Sequence, residues 1–435
     1  MTTQSGLGEG LMDVTISQRE FAEQVVRQLT DAGFTALWAG GCVRDLLVGR
    51  EPKDYDVATN ARPEQVRDVF GKRRTLSVGE SFGVIVVLGP KSAGQVEVAT
   101  FRTDGCYIDG RRPESVVFSS PEEDAQRRDF TINGMFYDPL KKQVLDFVGG
   151  EKDLAAGVLR AIGDPHARME EDKLRMLRAV RFAATFEFDL DEATADAVRS
   201  MADQISVVSA ERIAQELRRM LVDRHRARAI ELCHEVGLLV RVLPELKSVT
   251  QDSSRWRRLT SRLRLLVEPN VALAFAVLLE AAGDCASEGA CAVSKLADQA
   301  GRRLKLSNQE INDAGWLLKH RRSLDNASTL PLSTLKRVLS QRLATDLIAL
   351  IRVRDLSNDR HPNDAIFCDD YLRMTPKAIL DPPPLISGDD LIKAGFRPGP
   401  QFKEVLDRVR DAQLDLRITT PTEAMNLAAE LADGI

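Results

Sequence analysis

The spacing of apolar and polar residues divides the chain into an early part of short β-rich runs and a long later part with helical periodicity. Thr35-Ala-Leu-Trp-Ala, Asp54-Tyr-Asp-Val, Gly83-Val-Ile-Val-Val-Leu and Gln95-Val-Glu-Val-Ala-Thr are bounded by Gly, Pro or Asn, and they predict four strands. Helical spacing, as from Arg62 to Phe70, separates them. From about Asp164 onward caps and breakers punctuate helices and almost nothing reads as a strand. The fold class expected is therefore α+β: a mixed-sheet head followed by an all-helical remainder. The expected divisions are an N-terminal arm at 1–33, the head at 34–150, a helical neck at 151–222, a helical body at 223–380 and a helical tail at 381–435. The tail is set off by the break Asp381-Pro-Pro-Pro-Leu.

Composition adds three points. At 435 residues the chain exceeds what one hydrophobic core organises, and 43% hydrophobic with 29% charged residues is a globular balance. The six cysteines show no CxxC pair, and the longest apolar run, Val271 to Leu279, is too short to cross a bilayer, so a cytoplasmic protein with reduced thiols and no membrane partner is expected. The net charge of −5 argues against indiscriminate binding of polyanions. Basic residues nevertheless gather at Arg218 to Arg228, Arg255 to Arg264 and Lys319 to Arg322; these are either a stripe facing nucleic acid or solvated helix faces.

Candidate chemistry lies in the head. Gly40-Gly41 follows an apolar strand and opens a helix, where free N–H groups and the positive helix end suit a phosphate; strand-to-helix turns also use glycine for geometry alone. Asp54 and Asp56, one residue apart on a predicted strand, share a face. Two carboxylates held together are costly unless a cation binds. Beside a phosphate turn, the economical reading is Mg2+ serving an in-line displacement, with solvated acids at a strand end as the alternative. Glu97 is either a third carboxylate of this group or a solvent-facing residue.

Gly40-Gly-Cys-Val-Arg-Asp-Leu-Leu followed by Asp54-Tyr-Asp resembles the first motif of the DNA polymerase beta nucleotidyltransferase superfamily, in the form found in class II tRNA nucleotidyltransferases (CCA-adding enzymes) and bacterial poly(A) polymerases. Arg127-Arg-Asp-Phe-Thr-Ile-Asn-Gly-Met, Asp146-Phe-Val-Gly-Gly, Glu171-Asp-Lys-Leu-Arg-Met-Leu-Arg-Ala-Val-Arg-Phe and Ala210-Glu-Arg-Ile-Ala-Gln-Glu resemble the later motifs, in the family's order. The segment from Ile386 to Pro400 also looks like tails of this family. The resemblance implies template-independent addition of C, C and A to tRNA 3′ ends from CTP and ATP, with release of diphosphate. It implies nucleotide-holding roles for Gly40, Gly41, Arg44, Arg128, Asp129 and Asn133, and a hinge at Asp146 with Gly149 and Gly150. The loop from Arg102 to Pro113, carrying Asp109 and Arg111, resembles one associated with addition of the terminal A. Arg178 and Arg181 either meet phosphate or are surface charges.

Base choice has its own chemistry. Cytosine and adenine each present an amino donor beside a ring-nitrogen acceptor, whereas uracil and guanine present the reverse. A carboxylate that accepts beside a guanidinium that donates therefore selects C and A; Asp172 with Arg175, three apart on an expected helix from Glu171 to Phe182, is by its spacing alone an ordinary surface ion pair, and the resemblance implies that it supplies this base-reading pair. Rejection is the stronger half, since a wrong base strands buried polar groups at roughly 1–3 kcal/mol each. Within the enzyme class the rivals are an A-adding enzyme or a poly(A) polymerase, although Ser77-Val-Gly-Glu-Ser-Phe-Gly-Val-Ile looks like the CCA-adding form. Outside it, the rival is an inactive RNA-binding protein. None of the five histidines is followed by Asp, so the HD phosphohydrolase domain of some relatives is not expected. A monomer or a homodimer fits equally.

Overall fold

The strand-forming runs of the first third assemble into one sheet. In the computed structural model, which describes residues 16–77, 83–104, 116–283, 290–396 and 401–433, these are β1 (Ala36–Ala39), β2 (Asp56–Thr59), β3 (Thr75–Leu76), β4 (Val84–Leu88) and β5 (Gln95–Thr100). β6 (Arg102–Asp104) and β7 (Val116–Phe118) pair as a separate antiparallel ribbon at the two ends of the expected loop. β8 (Phe136–Asp138) and β9 (Gln143–Leu145) then complete the seven-stranded sheet, in the order β3-β4-β5-β2-β1-β8-β9. Within this sheet β2 and β5 run parallel, and the other described pairs are antiparallel.

Alternation along the strands makes two apolar layers. Trp38, Val57, Ile85, Val87, Val96 and Val98 face the helices Gln18–Asp31 and Pro63–Phe70, burying Phe21, Val25, Val26 and Phe70 between them. Leu37, Ala39, Ala58, Phe101 and Phe136 form a second cluster on the opposite side. The first helix starts where a capping box joins Ser17 to Glu20.

Two expectations need correction. β2 begins at Asp56, so Asp54 and Tyr55 precede the strand; Tyr55 is buried with its ring edge-on to Trp38, centroids 4.8 Å apart, and this packing takes the chain out of the ladder. The expected helix from Glu171 to Phe182 is broken into Pro165–Glu171 and Arg175–Phe186, with Asp172 extended at φ −147° and ψ 102° between them. Its Oδ1 accepts the Leu174 N–H at 3.0 Å, a local side-chain bond that competes with helical pairing. Beyond residue 164 the described strand content is a two-residue strand, Asp189–Leu190, parallel to Val158–Leu159.

The chain divides into two compact units, Met1–Val208 and Ser209–Ile435. The second is helical. At its centre is Val271–Gly283, apolar on all sides apart from Glu280 and buried from Ala272 to Gly283, as a helix without a polar face must be. No helix among the described residues is long and apolar enough to cross a membrane. The basic clusters are split, with some members turned inward while others such as Arg219, Arg257 and Lys319 stay exposed. Arg226, 3% exposed, donates to the carbonyls of Leu221, Leu263 and Leu266, and Arg262 pairs with Glu280 in the interior. Arg218 makes a two-point bond to Glu310, whose carboxyl is held at about 2 by that guanidinium and by its capping bonds to Ser307, against the opposing effect of burial. The tail helices Gly388–Lys393, Gln401–Leu414 and Pro421–Asp433 enclose their own cluster around Leu391, Val405, Val409 and Ala424.

Candidate active site

The site is built where β1 ends and β2 begins. Gly40 takes φ 71° to turn from β1 into the helix Gly41–Leu47, and a Cβ there would lie 2.8 Å from Nη1 of Arg128. The positive φ demands glycine, and a side chain there would also displace the end of the Arg128 guanidinium. The turn thus sets the start of the helix Gly41–Leu47 beside a guanidinium, with the Gly40 N–H itself held by the Met135 carbonyl at 3.2 Å.

Asp56, first residue of β2, is in register with Glu97 of β5. The pleat puts paired positions on one face, so the two carboxylates adjoin. Asp56 keeps access to solvent, but the surrounding protein removes enough water to push its carboxyl up to about 6; Glu97 raises it further, Arg128 opposes, and Asp54 adds a smaller push. Three acids therefore act on one point beside the glycine turn. This is the electrostatics of a place that lacks positive charge. Among the described residues no three His, Cys, Asp or Glu side chains form a ready metal cage. A divalent ion shared with substrate phosphates does not require one, since it draws one or two carboxylates from the protein. The hard oxygen donors of Asp54 and Asp56 fit such an ion. Below them Cys42, 3% exposed, donates its thiol to the Ala39 carbonyl at 3.3 Å, and burial pushes that thiol up to about 11, so it packs as a small apolar group.

A second group of expected residues forms one continuous network. Arg44, 8% exposed, donates to Asn133 Oδ1 at 2.6 Å and to Asp45 Oδ1 through Nε and Nη2, with Phe182 and Phe186 against its guanidinium. Asn133 donates to Asp129 Oδ1 at 3.1 Å, and Arg178 donates to Asp129 Oδ2 through Nε at 2.9 Å and Nη2 at 2.6 Å. Burial alone would raise the Asp129 carboxyl; Arg178 and the Asn133 bond override it and hold it at about 2. Arg178 is thus committed to a carboxylate within the protein. Arg181 lies against the Phe182 ring, its guanidinium carbon 3.9 Å from the centroid.

Asp172 and Arg175 do not share a helix. Arg175 is 8% exposed, and its Nη1 donates to the Arg168 carbonyl and Glu171 while Nη2 donates to the Arg127 carbonyl at 3.2 Å. Its ion-pair partner is Glu171 rather than Asp172. Asp146 accepts the N–H groups of Val148 and Glu151, so it secures the start of the helix Gly150–Ala156. Gly149 has φ 79°, and a Cβ on Gly150 would come within 2.3 Å of the Thr131 carbonyl oxygen. Arg102 opens β6; Asp109 and Arg111 lie outside the described residues.

Sequence reasoning missed Asp124. It is 1% exposed, and its Oδ2 accepts Nε and Nη2 of Arg128 while Oδ1 accepts Nε and Nη2 of Arg127 and the backbone N–H of Arg102. These guanidiniums keep the carboxyl below the usual range despite burial. The available signal was its position three and four residues before two arginines on a short helix.

Comparison with known proteins fits this geometry. Residues 36–160 match the family described as Poly A polymerase head domain, and residues 187–250 match "Probable RNA and SrmB- binding site of polymerase A". The chain is 31% identical to a CCA-adding enzyme of Lactobacillus helveticus over 95% of its own length and 97% of the relative's. It is 36% identical to poly(A) polymerase I of Haemophilus influenzae over 54% of each chain. The crystal structure of the Bacillus stearothermophilus CCA-adding enzyme in complex with CTP superposes with a TM-score of 0.77 at 28% identity, covering 96% of this chain and 97% of that one. With a curated relative matched along nearly its whole length, the chain belongs to the family of CCA-adding enzymes and bacterial poly(A) polymerases.

Proposed function

We propose that this protein is a template-independent nucleotidyltransferase that adds C, C and A to the 3′ end of tRNA from CTP and ATP, releasing diphosphate at each step. The observation that carries this reading is the register of Asp56 against Glu97, with Asp54 in the same field, beside the Gly40 turn and Arg128. Asp54 and Asp56 hold the divalent cation that the family uses, here taken as Mg2+, with Glu97 supporting them. When bound, the cation neutralises the charge that builds on the attacking and leaving oxygens. Gly41, at the start of its helix, and Arg128 receive the triphosphate through N–H donors, while Gly40, whose own N–H is held by the Met135 carbonyl, shapes the turn that lets the phosphates approach; this orients the innermost phosphorus in line with the RNA hydroxyl.

The Arg44–Asn133–Asp129–Arg178 network forms a fixed polar wall for the sugar, and Arg181 provides positive charge at its edge. Asp172 and Arg175 read the base. Three of Arg175's N–H donors are committed to Arg168, Glu171 and Arg127, which fixes the guanidinium plane; Nε–H and the second Nη2–H have no acceptor among the described residues and are available to a ring nitrogen. Asp146, Gly149 and Gly150 act as the hinge, and the segment joining β6 to β7, with Arg102, Asp109 and Arg111, serves addition of the terminal A. The enzyme works in the cytoplasm on its tRNA.

Polyadenylation is the second reading, favoured by the match to a poly(A) polymerase over about half the chain. Purified protein with Mg2+ is offered transcripts ending before the first C, after the second C, or after the terminal A, with CTP and ATP singly and together. Addition of all three residues followed by a stop supports CCA synthesis. Long A tracts on unrelated RNA replace it with polyadenylation, and A transfer to the CC-ended transcript alone indicates an A-adding enzyme.

A further inference from the structure

Within the unit Ser209–Ile435 the helices leave a cavity of about 730 Å3, lined by six arginines and four acids. Its acids are already used. Glu280 takes Arg262 at 3.2 Å, both side chains under 5% exposed. Arg354 donates to Asp325 at 2.8 Å and to Asp355 at 3.4 Å, and the two oxygens of Asp364 accept the N–H groups of Asn326 and Ala327. Asp364 keeps its charge, but six guanidiniums against four carboxylates leave the lining positive. Arg321 spends one donor on the Leu318 carbonyl, and among the described residues no carboxylate lies within ion-pair distance of Arg321, Arg322 or Arg360.

We propose that this cavity is a second anion site, distinct from the head, that takes the phosphoryl end of a free ligand of nucleotide size. Its volume falls in the range of small-molecule sites, roughly 300–1,000 Å3. Convergent guanidiniums are the side chains suited to phosphate oxygens by charge and by their forked donors. Arg321 decides between two sources of phosphate. It lines the cavity at 8% exposure while Arg322 and Arg360 are exposed, so reaching it favours a terminal phosphoryl group over a phosphodiester, which carries sugar on both sides. Asn326 and Asn358 on the same wall give both donors and acceptors for the uncharged part of the ligand.

Equilibrium dialysis of the full-length protein with labelled ATP tests the site, comparing the parent with Arg322→Gln/Arg360→Gln and with Arg321→Gln. Arg322 and Arg360 are exposed, so the double variant keeps its fold, which circular dichroism checks. The parent is expected to bind one more ATP per chain than the double variant, or to bind it about tenfold more tightly at that site. Arg175→Ala, which weakens nucleotide binding in the head, is expected to leave this extra site filled, so failure of the proposed active site and failure of the cavity give different counts. Equal ATP binding by the parent and both variants overturns the proposal. Loss of tRNA affinity in the variants with an unchanged ATP count also overturns it, and makes the cavity rim a contact for RNA backbone phosphate.

Discussion

Asp54 and Asp56, the pair proposed to hold the cation, stand out in the sequence by identity and spacing alone. What spacing could not give is that only Asp56 lies on the strand and that Glu97 is its cross-strand neighbour, because pairing of distant segments is written in no local pattern. Asp54→Ala is expected to abolish nucleotide transfer with the fold retained, read by primer extension and circular dichroism. Arg175→Ala is expected to blur the preference for CTP and ATP over UTP and GTP; unchanged selectivity would remove it from base reading. Asp124→Asn leaves two guanidiniums and a backbone N–H with a weaker acceptor, and should lower kcat/KM by about tenfold or more. On the proposed role of Arg128 toward phosphate rather than base, the loss should appear mainly in KM, equally for both nucleotides. Asp129 contributes to stability with a definite pH signature. Its folded-state carboxyl ionises at about 2, below the ordinary 3.8, so its stabilisation is complete above the ordinary value and is lost as pH falls toward 2. Asp129→Asn should cost roughly 2 kcal/mol at pH 7 by urea denaturation, with the gap to the parent closing as the solution is acidified below pH 4.

At the scale of elements, periodicity located β1, β4, β5 and the helix Pro63–Phe70 to within a residue or so. β6, β7, β8 and β9 escaped it because each has three residues, too few for alternation to register. The helix broken at Asp172 escaped for a different reason: helix-forming residues on both sides outweigh the one side chain whose bond to Leu174 opens the turn. Tight packing at Gly150 gives an element-level test. Gly150→Ala puts a methyl group against a backbone oxygen that cannot rotate away, with an expected loss of about 3 kcal/mol or more. Gly149→Ala meets nothing within 4 Å and suffers only its φ of 79°, about 1–2 kcal/mol. Thermal denaturation should rank Gly150→Ala well below Gly149→Ala; the reverse order would show that the space, not the sign of φ, was misread.

Across the whole molecule, the division into an α/β part and a helical part followed from the change in periodicity near residue 164. The fate of the basic clusters did not, because a run of arginines reads alike whether it faces water, RNA or the interior. Arg226 and Arg262 are structural, while Arg257 and Lys319 are exposed. Arg257→Ala and Lys319→Ala should therefore each weaken tRNA binding, and each should reduce the slope of log affinity against log salt by about one. Salt titrations that leave the slope at its parental value would exclude those positions from the RNA path.

The bonds around Arg175 carry one more consequence. A side chain tied at once to the main chain of Arg127, the main chain of Arg168 and the Glu171 carboxylate cannot swing by itself to suit a larger ring. On the proposed base-reading role of Arg175, accepting a purine after two pyrimidines then means that the nucleotide shifts against a stationary guanidinium, or that Arg127, Arg168 and Arg175 are carried along as a single block.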